Sequence, residues 1–156
     1  MNIRTVALAI FTCNEDQILV QAFQSPGSST TFYRPVGGTV EFGENSQYTL
    51  MREIREELHQ EIEPPQLIAV IENIFQVEET GHEIDFIYEA KFKNTDMYSK
   101  IELQGIEGKE SYRAVWKSIG DFNEGKEDIK LVPDGLLALL TGKNKDAQSI
   151  IHIRTR

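Results

Sequence analysis

The chain has one cysteine, Cys13, among 156 residues, so no internal disulfide can form. Cys13 lies in an apolar run, where a thiol is usually a small buried hydrophobe rather than a nucleophile. A reducing, cytoplasmic setting is expected. There is no apolar run of 18 residues, and hence no expected membrane span. The first residues, MNIRTVALAIFTCNEDQ, lack the small-residue cleavage site of a signal peptide and read as a strand. Positive charge is also scarce, with 16 Lys and Arg against 25 Asp and Glu, a net of −9. Phosphate contacts along a nucleic acid require a basic face, so nucleic-acid partners are not expected. The three histidines have no ligand spacing, which argues against zinc. Internal repeats, low-complexity tracts and linkers are absent, and the length suits a single domain spanning residues 1–156.

The negative charge is concentrated. Residues 41–63 hold seven Glu and two Arg, a net of −5. Part of this density lies in PVGGTVEFGENSQYTLMREIREELHQ, residues 35–60. Asn45 or Ser46 can cap a helix there that ends near Leu58. Leu50, Ile54 and Leu58 recur every four residues, with Met51 alongside, which predicts one apolar stripe facing a core. At 100° per residue, Glu53, Glu56 and Glu57 share an arc of about 100° away from that stripe. Arg52 stands four residues before Glu56 and can pair with it. Gly37 and Gly38 allow the preceding backbone to approach a ligand without a Cβ in the way. Hard carboxylate oxygens without His or Cys suit Mg²⁺ or Mn²⁺. Such ions neutralise phosphate charge and acidify water.

The remaining chain reads as strands and loops. Residues 3–12 and 18–24 predict a hairpin turning at residues 14–17. Residues 25–31 predict a polar loop, 32–34 an extended lead-in and 39–42 a short strand. Long strands are expected at 66–78 and 82–92, a further strand at 112–117, and loops at 93–110 and 120–129. Pro133 is expected to open a short helix ending at Gly142. The tail from residue 143 carries four basic residues and a candidate edge strand, SIIHIRT. The fold class expected is α/β or α+β, layered, with a mixed central sheet between helices.

The spacing from Gly38 to Glu57 resembles the Nudix box: Gly38, five residues, Glu44, seven residues, then Arg52-Glu53-Ile54-Arg55-Glu56-Glu57. Two positions depart from it. His59 stands where the family has Gly, and Gln60 where it has an aliphatic residue. An altered helix exit is therefore expected, with every ligand position intact. The resemblance implies a Nudix fold. It also implies metal-dependent hydrolysis of a diphosphate linkage in a nucleoside diphosphate derivative: a nucleotide, nucleotide sugar or ADP-ribose type. By the same resemblance, Glu53, Glu56 and Glu57 are metal ligands, with Glu44 an additional or supporting ligand and the Gly38 carbonyl a further donor. Arg52 would orient the glutamates. The general base would be one of these glutamates or a carboxylate from a later loop, with Glu110 first and Glu102 and Glu107 as rivals. Arg34 is a candidate for holding phosphate. Tyr33, Phe32, Phe75 and Phe86 are candidates for stacking on a base.

Two other readings fit the same sequence. The chain could bind a nucleotide derivative without turning it over, or act on RNA ends through its basic tail. A homodimer is the default expectation for a small enzyme of this kind.

Overall fold

A computed structural model describes residues 1–123, 128–142 and 150–155. In chain order the elements are β1 (Arg4–Ile10), β2 (Thr12–Cys13), β3 (Gln17–Gln24), β4 (Thr31–Pro35), β5 (Gly37–Thr39), α1 (Ser46–Leu58), β6 (Gln66–Gln76) and β7 (Thr80–Glu89). They continue with a 3₁₀ turn (Thr95–Ser99), β8 (Glu102–Glu107), β9 (Glu110–Ser118), α2 (Gly120–Asn123), β10 (Ile129–Leu131), α3 (Leu136–Thr141) and β11 (Ile151–Thr155). The class is α+β with mixed sheets. One sheet has the order β11-β6-β7-β1-β5, the other β10-β4-β3-β9-β8, with β2 added beside β3. Parallel pairs (β1 with β7, β11 with β6, β10 with β4) sit among antiparallel ones.

β1 explains the two-sheet arrangement. Val6, Ala7, Leu8 and Ala9 are all fully buried, so both faces of the strand are covered. Ala7 and Ala9 join the core beneath α1, together with Phe11, Leu50, Ile54 and Leu58. Val6, Leu8 and Ile10 join a second core with Ile18, Val20, Ile71, Ile87 and Leu136. A strand apolar on both faces belongs in the interior of a sheet. Accordingly β1 pairs with β5 and β7, not with β3. The expected hairpin of 3–12 with 18–24 therefore shrinks to Thr12–Cys13 against Gln17–Ile18. Its turn is tight, with φ of 50° at Asn14 and 68° at Glu15.

Three other boundaries differ from the sequence reading. The strand expected at 39–42 is Gly37–Thr39, and Phe42 instead projects fully into solvent beside Gly43, whose φ is 90°. The helix expected from Pro133 begins at Leu136, because Pro133 to Gly135 form a turn in which the Leu136 N–H donates to the Pro133 carbonyl (3.1 Å). The segment 93–110, expected as loop with a strand fragment, holds the 3₁₀ turn and all of β8. The expected edge strand in the tail is β11. Lys143, Lys145 and Arg156 lie outside the described residues. Among the described residues no helix is long and apolar enough to cross a membrane.

Helix α1 matches its expected span. Asn45 caps it, its side chain accepting from the Tyr48 N–H at 2.9 Å. Leu50, Ile54 and Leu58 are buried, and burial of each contributes roughly 2 kcal/mol. The helix ends at His59, which takes the left-handed conformation (φ 54°, ψ 36°), its N–H donating to the Arg55 carbonyl at 3.1 Å. His59 thus adopts the backbone that a glycine would, at some steric cost. His59→Gly is expected to stabilise the protein by about 0.5–1 kcal/mol, read from urea denaturation. Equal or lower stability of the variant would refute the strain argument.

Candidate active site and metal centre

A cleft of about 490 Å³ opens between the outer face of α1 and the β8–β9 turn. Helix α1 supplies Arg52, Glu53, Glu56 and Glu57. The stretch through β5 supplies Gly38, Thr39 and Glu41, and the β8–β9 turn supplies Ile106, Glu107 and Gly108. Arg34 and Arg4 complete the lining. The helical spacing is what brings three glutamates to one side. β5 lies against β1 and α1, which sets Gly38 directly beside Glu53. A Cβ built at Gly38 would stand 2.3 Å from Glu53 Cδ and 2.6 Å from its Oε1. No residue but glycine fits there without displacing the carboxylate.

Arg52 is the hub of the site. Its Nε and Nη2 donate to Glu44 (2.9 and 3.0 Å), and Nη1 donates to both Glu53 (3.0 Å) and Glu56 (3.1 Å). Such paired, charge-assisted bonds fix direction as well as charge. The Arg52 guanidinium, with the Thr49 hydroxyl, holds Glu44 below the usual carboxylate range. Glu53 is raised, because burial outweighs its bond to Arg52. Burial pushes Glu57 up to about 7, against the opposing bond that Tyr112 Oη donates to its Oε2 at 2.9 Å. Glu56 is the most open of the set, its side chain 59% exposed.

Five carboxylates around one cleft, with Glu53 and Glu57 destabilised as anions, are a donor set that fits a hard divalent cation. The missing Cβ at Gly38 lets the Glu53 carboxylate lie against the β5 backbone at the edge of the cleft. Among the described residues no three carboxylates stand converged on a single point. Arg52 accounts for this, since it draws Glu44, Glu53 and Glu56 toward its own nitrogens.

Of the residues expected from the sequence, Gly38, Arg52, Glu53, Glu56, Glu57 and Arg34 line the cleft. Glu44 stands behind it, bonded to Arg52 and Thr49. Two of the expected residues lie elsewhere. Glu110 does not line the cleft; Glu107 does. The two are register partners across the β8–β9 hairpin and so lie on one face of it; Glu107 is on β8, the strand that packs against α1. Glu102, the other rival, pairs instead with Arg113 at 3.6 Å. Glu107→Gln is therefore expected to lower turnover by about tenfold to a hundredfold, with Glu110→Gln close to wild type. Equal losses in steady-state kinetics would remove the distinction. Tyr33 lines no part of the cleft. Its ring packs edge-on against Phe122 (centroids 5.6 Å apart) with Lys117 Nζ 5.1 Å above it.

A second pocket, of about 240 Å³, adjoins the first across Arg34. Phe23 and Phe32 come from β3 and β4, while Asn73, Phe75, Glu83 and Asp85 come from β6 and β7. Together the two spaces fall within the roughly 300–1,000 Å³ usual for small-molecule sites. Phe32 and Phe75 were candidates from sequence. Asp85 was not, although its signal is present: a lone acid in Ile84-Asp85-Phe86-Ile87, at an alternating position with buried Ile87. Asp85 is fully buried and interacts by hydrogen bond with its neighbour Glu83.

The NUDIX domain profile matches residues 3–134. Among solved structures, the Escherichia coli ORF135 protein is 22% identical, with a TM-score of 0.59, covering 94% of this chain and 96% of its own. A MutT Nudix hydrolase from Burkholderia pseudomallei is 19% identical (TM-score 0.60; 90% and 96% covered). An ADP-ribose pyrophosphatase from Streptococcus suis is 12% identical (TM-score 0.57; 97% and 99% covered). These likenesses speak for the fold, and the profile match over most of the chain, on top of the Gly38–Glu57 geometry, speaks for descent. The chain belongs to the Nudix family of pyrophosphohydrolases.

Proposed function

We propose that the protein is a divalent-metal-dependent hydrolase that cleaves the diphosphate linkage of a small nucleoside diphosphate derivative. The observation that carries this reading is the juxtaposition of the carboxylate cleft with an aromatic pocket across Arg34. One space suits phosphates and the other a flat ring, and a cation shared at their border suits the link between them.

Glu53, Glu56 and Glu57, with the Gly38 carbonyl, would hold Mg²⁺ or Mn²⁺. When bound, the ion supplies charge neutralisation at the phosphoryl oxygens and a more acidic water. The other steps belong to the chain's own residues. Arg34 holds a phosphate oxygen and fixes the substrate lengthwise. Arg52 keeps Glu53 and Glu56 pointed into the cleft while Glu44 anchors the guanidinium from behind. Glu107, on the turn opposite α1, takes the proton from the attacking water. The water oxygen bonds to phosphorus, the bond from phosphorus to the bridging oxygen breaks, and two phosphate-bearing products leave. Tyr112 holds Glu57 in place through its hydroxyl.

The departure at His59 that would favour binding without turnover sits at the helix exit, where it touches no proposed ligand. The test is a panel of nucleoside triphosphates, nucleotide sugars, ADP-ribose and dinucleoside polyphosphates, each with Mg²⁺ or Mn²⁺ and again with EDTA, with products identified. Metal-dependent cleavage of a P–O–P bond is expected. Absence of cleavage across the panel, with ligand-induced thermal stabilisation alone, would replace the hydrolase reading by a binding one.

A further inference from the structure

The three glutamates that α1 brings to the cleft are not held by one group. Arg52 bonds to Glu53 and Glu56 but, among the described residues, not to Glu57. Glu57 stands in the last turn of the helix, two residues before the left-handed exit at His59. Its hold comes from another sheet, 55 residues further along the chain. Tyr112 Oη of β9 donates to Glu57 Oε2 at 2.9 Å. The other oxygen, Oε1, bonds to no residue among those described and is left open to the cleft that Glu57 lines.

Tyr112 is itself held. Its register partner on β8 is Gly105, and the ring lies over that glycine. A Cβ built at Gly105 would stand 2.2 Å from Tyr112 Cζ and 2.6 Å from each Cε. Only glycine leaves room for the ring there. The ring also packs against the core beneath α1. It therefore has its floor on the hairpin and its hydroxyl at the helix.

We propose that Tyr112 is the positioning residue for Glu57: its hydroxyl occupies one carboxylate oxygen and leaves the other as the single oxygen offered to the cleft. Tyr112 thus does for Glu57, from β9, what Arg52 does for Glu53 and Glu56 from within α1. The inference rests on the proposed function in one respect, that Glu57 is a ligand of the cation.

The chemistry follows from the surroundings. The terminal torsion of a glutamate is broad, so a carboxylate without a partner can turn and offer either oxygen. A phenol keeps its proton at neutral pH and remains a donor to the anion. Glu57 is only 6% exposed, so water does not take the place of a missing hydroxyl, and Oε2 would be left buried and unsatisfied. Partners standing behind a metal ligand in this way typically carry an effect of about 10–100-fold on metal affinity.

The test reads Mn²⁺ binding directly, by electron paramagnetic resonance of the free ion with the full chain and no substrate, so turnover plays no part. Tyr112→Phe is expected to weaken Mn²⁺ binding about tenfold or more. Tyr98→Phe is the control. Tyr98 packs against the same core, and its hydroxyl accepts from the Phe92 N–H at 3.0 Å and bonds to no glutamate. That variant should bind Mn²⁺ within about twofold of wild type. A double variant separates positioning from packing. In a Glu57→Gln background, Tyr112→Phe should weaken binding by less than about twofold more, because the carboxylate it acts through is gone. Unchanged Mn²⁺ affinity in Tyr112→Phe, an equal loss in Tyr98→Phe, or full additivity in the double variant would each overturn the proposal. Should Tyr112→Phe not fold, Gly105→Ala decides: it keeps the hydroxyl but drives the ring off its floor, and undiminished Mn²⁺ binding there overturns the proposal. A wild type that binds no Mn²⁺ would overturn this inference and the metal reading together. Otherwise the two fail separately. Weakened Mn²⁺ binding in Tyr112→Phe without cleavage across the substrate panel would reject the hydrolase and keep the positioning role, and cleavage with unchanged Mn²⁺ binding in Tyr112→Phe would do the reverse.

Discussion

Glu56→Gln is expected to lower kcat by on the order of 10³-fold with metal at saturation, while shifting the melting temperature by no more than about 2 °C. The two halves of this expectation come from one fact about the residue. Glu56 lies on the cleft side of α1 but is more than half exposed, and its one hydrogen bond, from Arg52 Nη1, is an i,i+4 pair at the surface. Exposed pairs of this kind contribute about 0–1 kcal/mol, because water already solvates both partners. The fold therefore hardly registers the change. The cleft does, because Gln keeps the shape but offers no negative charge to a cation that must neutralise charge developing at phosphorus. Steady-state kinetics over a range of Mn²⁺ concentrations, with thermal denaturation in EDTA, would check both halves. Turnover within threefold of wild type would remove Glu56 from the metal set.

Arg52→Met has the opposite profile, with a large cost to the fold as well as to turnover. The Arg52 side chain is only 16% exposed and satisfies Glu44, Glu53 and Glu56 at once. Methionine fills much of the volume and supplies none of the donors. Glu44 and Glu53, 13% and 16% exposed, then face each other without a counter-charge. Removing one member of a largely buried ion network costs about 3–5 kcal/mol, here roughly 6–20 °C in melting temperature without metal. Added Mg²⁺ should stabilise the variant more than wild type, because the cation replaces part of the missing charge. Equal melting temperatures in EDTA would show that the network contributes orientation alone. Loss of turnover is expected whether or not metal restores stability, since Arg52 also aims Glu53 and Glu56.

Much of this site could be read from the sequence because it is local. The helix, its cap at Asn45, its apolar stripe and its three glutamates repeat at 3.6 residues, and a single segment encodes them all. Even the odd residue at the exit was legible in kind: His59 occupies the left-handed position that the pattern reserves for glycine. What escaped depends on contacts between distant segments. The run 3–12 reads as one strand, yet Ile10 ends in one sheet and Thr12 begins in the other. Periodicity within the run cannot show that, since both of its faces are apolar. Glu107 and Glu110 have the same chemistry, three residues apart. Which one reaches the cleft depends on which strand of the β8–β9 hairpin packs against α1, a contact between distant segments. Tyr33 lies next to Arg34, but successive strand residues point to opposite faces, so the two cannot serve one site. Asp85 reads in the sequence as a polar interruption on a strand, and only the fold places it with Glu83, Phe32 and Phe75 in the lining of one pocket.

The position of Arg34 has a consequence for how this enzyme could diverge. On one side of that residue, most of the acidic machinery is encoded between Gly38 and Glu57, one short heritable cassette. On the other side, the aromatic pocket is assembled from five strands and the Val132–Asp134 turn, each contributing one to three residues. Substitutions at Phe23, Phe75 or Asp85 can accumulate singly without touching a glutamate of the cassette. On the proposed function, selection or an engineer can therefore retune which ring is accepted step by step while the carboxylate cleft stays intact, with Arg34 the residue common to both spaces.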